Sequence, residues 1–432
     1  GTINVGNDSY GIYAKNIKEG GTSVLTVNQN GVGIFAVGES GTPGNVIIDS
    51  GAKVTVNNGI SGKEGVAVFT GGSNTVNVVD NGSIMDLKDS TFGFVLKAPG
   101  SFVNTNTGNV TLANDSIYAY TDNSGVNITN NAPITSTGDR NYGLYGNGTM
   151  ENYGTIDFSN GNGNVGVYST GGIATNFGIV KVGTSNTANK EFGVGMATGY
   201  YDEGTGSISN QGTVINRGTI EVSKPNTMGM YAVGSGSKAI NYGDINLSGS
   251  NTIGMYLDRG AVGENWGTIK TTASGLRAVK GIYLANGSYI KNYGTITIGA
   301  SDMKSAGIWA DTQSAAKAQE NAVGTNPTTG TSQTGASNLS MRIVTADDMK
   351  EMGGVTIKVP PRSTAVTVTD ANGNVIPIVN VDTNTPLPSA TLVTVTSPSG
   401  ITTLDLSTIG LGSLTSASET TSLGTYGDTV AA

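Results

Sequence analysis

The chain has 432 residues, 66 of them Gly, with 12% charged residues, no Cys and no His, and a net charge of −8 with a pI near 4.7. Without histidine there is no Ser-His-Asp triad and no imidazole metal site, and without cysteine there is no disulfide or thiolate ligand. An acidic chain lacks the basic face that phosphate binding needs, which argues against nucleic acid as a partner. No apolar run approaches the ~20 residues of a membrane-spanning helix.

The first residues, Gly1-Thr2-Ile3-Asn4-Val5, followed by Tyr10-Gly11-Ile12-Tyr13-Ala14, already contain two phrases that recur throughout. The first phrase is complete further on as NRGTIEV at Asn216, NYGDINL at Asn241, NWGTIKT at Asn265 and NYGTITI at Asn292. The second is GMYA at Gly229, GMYL at Gly254, GIYL at Gly281 and GIWA at Gly307. Since the chain opens on the first phrase without its leading Asn, it is expected to begin inside a repeat and to be part of something longer.

A period in the twenties is a solenoid period. Both phrases alternate with a period of two and are rich in β-branched and aromatic residues, so each reads as a short strand. Gly, Asn, Ser and Thr between them suit tight turns, and no helix of useful length fits inside a repeat. The expected fold is all-β: a right-handed parallel β-helix of about twelve rungs spaced by ~4.8 Å over 1–310. It is followed by a helical or linker segment over 311–340 and a small antiparallel β-rich subdomain over 341–432.

In chain order, the second phrase is followed at Gly11, Gly33-Ile34-Phe35, Ala67-Val68-Phe69, Gly93-Phe94-Val95, Ser116-Ile117-Tyr118, Gly143-Leu144-Tyr145, Gly166-Val167-Tyr168 and Gly193-Val194-Gly195, then at the four glycines above. Strand parity places Ile12, Ile34, Val68, Phe94, Ile117, Leu144, Val167, Val194, Met230, Met255, Ile282 and Ile308 inside. Ile156, Ile220, Ile245, Ile269 and Ile296 line another inner wall. Asn152, Asn176, Asn216, Asn241, Asn265 and Asn292 recur at one turn, where their amides can bond up and down the stack.

Two features are candidates for binding. The same parity sends an aromatic column, including Tyr231, Tyr256, Tyr283 and Trp309, to the opposite face with a small residue two positions earlier. It reads either as a shelf on which sugar rings stack or as a structural column closing the sheet. The second is the insertion between Gly193 and Gly229, which carries Gly199-Tyr200-Tyr201-Asp202-Glu203-Gly204; Tyr200, Tyr201, Asp202 and Glu203 form either a contact loop or a neutral insertion.

After Ala310 the pattern changes. Gln313–Val323 has helical composition, Gly324–Ser340 is linker-like, and Thr345–Lys350 reads as one capped helical turn. Alternating runs at Val355–Val359, Ala365–Thr369, Val375–Val381, Leu392–Thr396 and Ile401–Leu406, separated by Pro and Asn-Gly signals, read as hairpins.

A β-helix can also be a polysaccharide lyase or hydrolase, which needs clustered carboxylates or bound calcium. Asp157, Glu221 and Asp244 are instead spread over rungs and share their outer face with Lys181 and Lys270, which reads as a solvated face. The Asp-bearing calcium nonapeptide is absent. No enzyme activity, cofactor or metal is expected.

The N-[YWFR]-G-[TD]-I phrase with its partner G-[IM]-[YW]-[AL], as at Asn292–Ile298 and Gly307–Ala310, resembles the passenger region of type V autotransporters. Its density in an Asn-rich, Cys-free chain is most similar to the very large outer-membrane adhesins of fusobacteria. The resemblance covers 1–310 and implies a bacterial surface rod anchored by an outer-membrane barrel that this stretch lacks. It implies partners among host-cell glycans (galactose-type sugars included), host protein receptors and other bacteria, with no membrane contact by this stretch. The GDSG-like motif of serine-protease autotransporters is missing. A polysaccharide-active enzyme and a pure spacer carrying a distal tip are the alternative functions.

Overall fold

A computed structural model describes residues 1–105, 107–300 and 302–315, together with strands at 341–344, 367–369, 375–377, 393–397 and 400–404. The described residues form an all-β parallel solenoid of about twelve turns with almost no helix. Each turn lays down three strands. Asp244–Leu247 belongs to a first wall, Thr252–Asp258 to a second and Val262–Asn265 to a third, after which Thr268–Thr271 resumes the first. Equivalent strands pair in parallel and in register, as in Ile245↔Ile269, Tyr256↔Tyr283 and Asn265↔Asn292. The repeating N-x-G-T-I phrase is therefore not one strand. Its Asn ends the third wall, x and Gly make the corner, and Thr-Ile begins the first wall.

The chain divides into two compact units, 1–135 with 362–432, and 136–361. In the first unit the second wall is built from Tyr10–Ala14, Val32–Val37, Gly65–Gly71, Thr91–Leu96 and Ile117–Thr121. Phe94 packs against Phe102 of the third wall at 4.3 Å between ring centroids. Two antiparallel pairs belong to this unit: Thr367–Thr369 with Val375–Pro377, and Val393–Ser397 with Gly400–Leu404. Val393–Ser397 also pairs antiparallel with Thr2–Val5. In the second unit the second wall runs through Tyr142–Gly146, Val165–Ser169, Val194–Thr198, Thr227–Val233, Thr252–Asp258, Lys280–Ala285 and Ala306–Asp311, and Met341–Val344 adds in parallel. Of the segment expected to be helical over Gln313–Val323, residues 313–315 are helical and the rest lies outside the described residues, as do Thr345–Lys350 and Val355–Val359.

The first and third walls bury alternate residues, as a period of two requires, whereas the second wall is buried on both faces. There simple parity fails at the glycine. A methyl group on Gly254 would lie 2.7 Å from Ile269 Cγ2, so this position faces the first wall. The next residue is also internal: Met255 Sδ and Leu257 Cδ1 lie 2.8 and 2.5 Å from where a Gly263 methyl would sit on the third wall. Ladder pairing accordingly skips from Met228↔Ile253 to Met230↔Met255. The strand bends at the glycine and carries two successive residues inward, a local irregularity of the bulge type. The glycine is obligatory for a second reason. The place of its missing side chain is taken by a carbonyl of the following turn: the Gly281 oxygen lies 2.5 Å from where a Gly254 methyl would sit, and the Gly254 oxygen 2.7 Å from where a Gly229 methyl would sit.

Two rungs are displaced from their expected alignment. Phe92 pairs with Ile117 and Phe94 with Ala119, so Tyr118 occupies the glycine column and Tyr120 the aromatic one. Val167 pairs with Met196 and Tyr168 with Ala197, so that rung reads Gly195-Met196-Ala197 rather than Gly193-Val194-Gly195. Both errors are slips of two residues, which leave side-chain parity unchanged and are invisible to an alternation argument.

Gly254→Ala forces a methyl into a backbone carbonyl and a core methyl at once. It is expected to cost about 1–3 kcal/mol or more, read as a lower urea midpoint. Glu19, buried at the inner end of a third-wall strand, has its carboxyl raised above the usual range chiefly by burial. A carboxyl whose folded-state pKa is raised loses stability as pH rises from the unfolded-chain value of about 4.3 through the folded one. Glu19→Gln is therefore expected to raise the urea midpoint at pH 7 and to leave it nearly unchanged at pH 3.5.

Candidate functional site: a ladder of exposed rings

The N-x-G corner of the second unit assigns one task to each of its three residues. The asparagines are 0–1% exposed and bond along the stack: Asn152 Nδ2 donates to Asn176 Oδ1 at 2.8 Å, Asn176 to Asn216 at 2.9, Asn216 to Asn241 at 2.8, Asn241 to Asn265 at 2.9 and Asn265 to Asn292 at 2.8. Each backbone carbonyl serves two donors of the next turn: Asn241 O accepts from Trp266 N at 2.7 Å and Gly267 N at 3.0 Å. The amide ladder expected from the sequence is therefore present. In the first unit Asn104 Nδ2 donates to Asn130 Oδ1 at 2.6 Å. At Gly178, Gly218, Gly243, Gly267 and Gly294 the glycine carbonyl of the preceding turn stands where a side chain would be.

The middle residue has neither constraint and points to solvent. In successive turns it is Tyr153, Phe177, Arg217, Tyr242, Trp266 and Tyr293, brought into one line by the register of the asparagines before them. Tyr153 is 47% exposed, Phe177 40%, Tyr242 40% and Trp266 47%. Tyr153 stacks on Phe177 at 4.7 Å and 4°, the Arg217 guanidinium lies 4.3 Å from the Tyr242 ring centroid, and Trp266 stacks on Tyr242 at 6.1 Å and on Tyr293 at 4.0 Å. Polar tips are held from the side. Tyr153 Oη donates to Glu151 at 2.9 Å and Trp266 Nε1 to Glu264 at 3.0 Å. The carboxylate of Glu151 raises the Tyr153 phenol above its usual pKa. Five intervals of ~4.8 Å make a largely aromatic stripe roughly 24 Å long, interrupted by the Arg217 guanidinium and tipped with hydrogen-bonding groups, a surface of the kind that marks an interaction site.

The candidates from the sequence fall elsewhere. Tyr231, Tyr256, Tyr283 and Trp309 are 0, 4, 2 and 4% exposed, so they offer no shelf. Their rings pack on one another, with Tyr256 and Tyr283 stacked at 4.4 Å, and burial lifts the phenols of Tyr231, Tyr256 and Tyr283 well above their usual value. The glycine taken for the shelf lies on the inner side of the strand. The ring's neighbour is the residue three positions earlier, as where Tyr142 meets Tyr145 edge to face at 5.0 Å. Tyr200, Tyr201, Asp202 and Glu203 lie on a hairpin in which Tyr200 pairs with Ser209 and Tyr201 with Ile208. Arg259 covers the Tyr201 ring at 3.6 Å, Asp202 accepts from Gly204 N at 2.8 Å, and Glu203 meets Lys190 at 3.3 Å. The hairpin and the buried column are not one site with the ladder.

The carboxylates on the outer first wall do not gather. Asp157 pairs with Lys181, Lys181 with Glu221 and Glu221 with Asn246, while Asp244 lies in a different column with Thr219. Among the described residues no cluster of three acidic side chains is placed to hold a metal ion. In the sequence the ladder residues are the variable position of N-x-G. The signal that could have singled them out is that this position is aromatic or Arg in all six N-x-G turns of the second unit while its neighbours are invariant.

The family model of the BigA third pectate lyase-like domain matches residues 16–266. Comparison with curated proteins and with solved structures finds no match.

Removing an exposed ring and removing a buried amide should have opposite weights. Trp266→Ala is expected to change stability by less than about 1 kcal/mol. Asn265→Ala removes the buried bonds from Asn241 Nδ2 and to Asn292 Oδ1 and is expected to cost about 1–3 kcal/mol, both read from urea unfolding.

Proposed function

Because the chain belongs to the family of the BigA third pectate lyase-like domain, we propose that it is an adhesive, non-catalytic member of that family. It acts by surface complementarity, and the ring ladder is its contact face. The family's namesake is an autotransporter adhesin-like protein, which supports a passenger-type segment displayed at a bacterial surface. A closer kinship with fusobacterial outer-membrane adhesins is part of this proposal and rests on the density of N-x-G-T-I phrases. The partners are host-cell glycans or protein receptors, or other bacteria, and the Tyr200–Glu203 hairpin is a second contact element on the same unit.

The observation that carries the reading is the exposure of one stacked column of rings, when the other aromatic column of the same unit is buried. Large aromatic side chains left in solvent at a repeated position, with Ile173 and Ile179 exposed beside them, make an apolar patch of the kind that is retained for contact rather than for folding. The outer acids support the same side of the choice. They alternate with lysine and amide residues along the wall, where glycosidic chemistry needs paired carboxylates across a cleft.

The test compares the full chain with a variant carrying Tyr153→Ser, Tyr242→Ser, Trp266→Ser and Tyr293→Ser. Both are applied to a glycan array, to host cells and to intact bacteria. Binding by the parent chain that falls at least tenfold in the variant, with unchanged far-UV circular dichroism, is the expected result. Equal binding by both removes the ladder from the contact face. Release of unsaturated or reducing ends from an acidic polysaccharide overturns the adhesive reading.

A further inference from the structure

We propose that the ring ladder is a self-complementary face on which a second copy of this chain docks, antiparallel to the first. This rests on the reading of the ladder as the adhesive face and names the partner that it fits.

Spacing is the first argument. A ligand that meets all six corner residues must repeat at the rung interval of ~4.8 Å. A second solenoid of the same sequence does so by construction. The second argument is which part of each ring is free. Within the ladder the ring faces are turned towards one another, at interplanar angles of 4°, 17° and 20° for the three stacked pairs. What remains is a strip of ring edges in two blocks, Tyr153–Phe177 and Tyr242–Trp266–Tyr293, with Arg217 between them. A ligand that needs an open π-face finds little purchase there, whereas a second strip of the same width and length meets it throughout.

Charge order selects the direction. Glu151 flanks the first ring and Lys291 the last, in equivalent positions immediately before the ladder asparagines. In the middle, Ile215 precedes the Arg217 corner and Ile240 precedes the Tyr242 corner, in consecutive paired strands. A two-fold axis lying in the contact plane, perpendicular to the stack and between these two turns, produces an isologous interface. It sets Glu151 against Lys291 of the second copy, Arg217 against its Tyr242 and Ile215 against its Ile240. Each of these contacts then occurs twice. A parallel arrangement in the same register would instead set Arg217 against Arg217, a like-charge contact that works as discrimination against that pairing. The strip is narrow, so one pair of copies associates weakly. Many copies presented on two apposed surfaces would add their contacts through effective concentration.

The experiment is sedimentation velocity on the full chain over a concentration series, for the parent, for Glu151→Lys, for Lys291→Glu and for an equimolar mixture of the two variants. Both side chains are half-buried at the surface of the third wall, and thermal melts establish that the variants fold as the parent does. The expected result is a concentration-dependent dimer for the parent and at least tenfold weaker association for each variant alone. The mixture should recover the dimer, because each variant carries a single sign of charge at both ends of its strip. A parent that stays monomeric at all concentrations overturns the proposal, as does a dimer that both substitutions leave intact or a mixture that fails to recover. The two readings fail separately. If the ring variant loses binding to cells or glycans while the parent stays monomeric, the adhesive reading stands and self-pairing falls. If the parent dimerises as described but binds no cell or glycan, self-pairing stands and those heterologous partners fall.

Discussion

Each turn must present to the next the same donors and acceptors, at the same height, or the stack stops. The N-x-G corner is where this condition is hardest to meet, because there the backbone leaves one sheet and enters another and cannot rely on a regular ladder. The buried amide column meets it. Every Asn side chain donates to the next, and every Asn carbonyl accepts two backbone N–H groups from the turn above, so that no polar group of the corner is left wanting in the interior. A buried donor or acceptor without a partner costs about 1–3 kcal/mol, and a repeated corner would multiply that cost by the number of turns.

Much of the composition follows from this stacking. Glycine is abundant because in two columns the neighbouring turn's carbonyl occupies the position of a side chain. Charged residues are few because only alternate residues of two walls reach solvent, and the second wall is buried on both faces. The aromatic residues separate into two columns with different fates. One is buried, where Tyr256 and Tyr283 stack inside the repeat's own packing, and the other stands in solvent at the corner. Both columns obey the same spacing, so regularity alone does not distinguish a ring of the core from a ring of the surface. Exposure does.

A repeated corner is an economical way of lining up exposed side chains. A loop site must hold several unrelated side chains in place, at a cost in conformational entropy. In the corner of a solenoid, one unconstrained position per turn becomes a line of side chains whose spacing is set by the backbone, and whose rings are pre-stacked. The ladder belongs to the second unit. The equivalent corner of the first unit carries Asn131 and Thr105 instead of rings, beside the same kind of amide pair at Asn104 and Asn130. The buried amide and the exposed side chain beside it therefore vary independently at adjacent residues of one motif.

Periodicity by itself determined a great deal about this protein: an all-β solenoid, about twelve turns, alternating inner aliphatics such as Ile245 and Ile269, and the amide ladder. These are properties of a repeat that must coincide with itself, and a repeat is visible in one dimension. Tertiary structure decided the rest. It divided the N-x-G-T-I phrase between two sheets, moved Tyr118 and Met196 by two positions that parity could not detect, and bent the second wall at its glycine. That bend turned Gly254 and Met255 inward together and, of the two readings of the column at Tyr231, Tyr256, Tyr283 and Trp309, left the shelf without room to exist. The exposed rings at Tyr153, Tyr242 and Trp266 were legible as a variable position but not as a surface. Which face of a corner meets water depends on where three sheets meet in space, and a strand's own alternation carries no information about that.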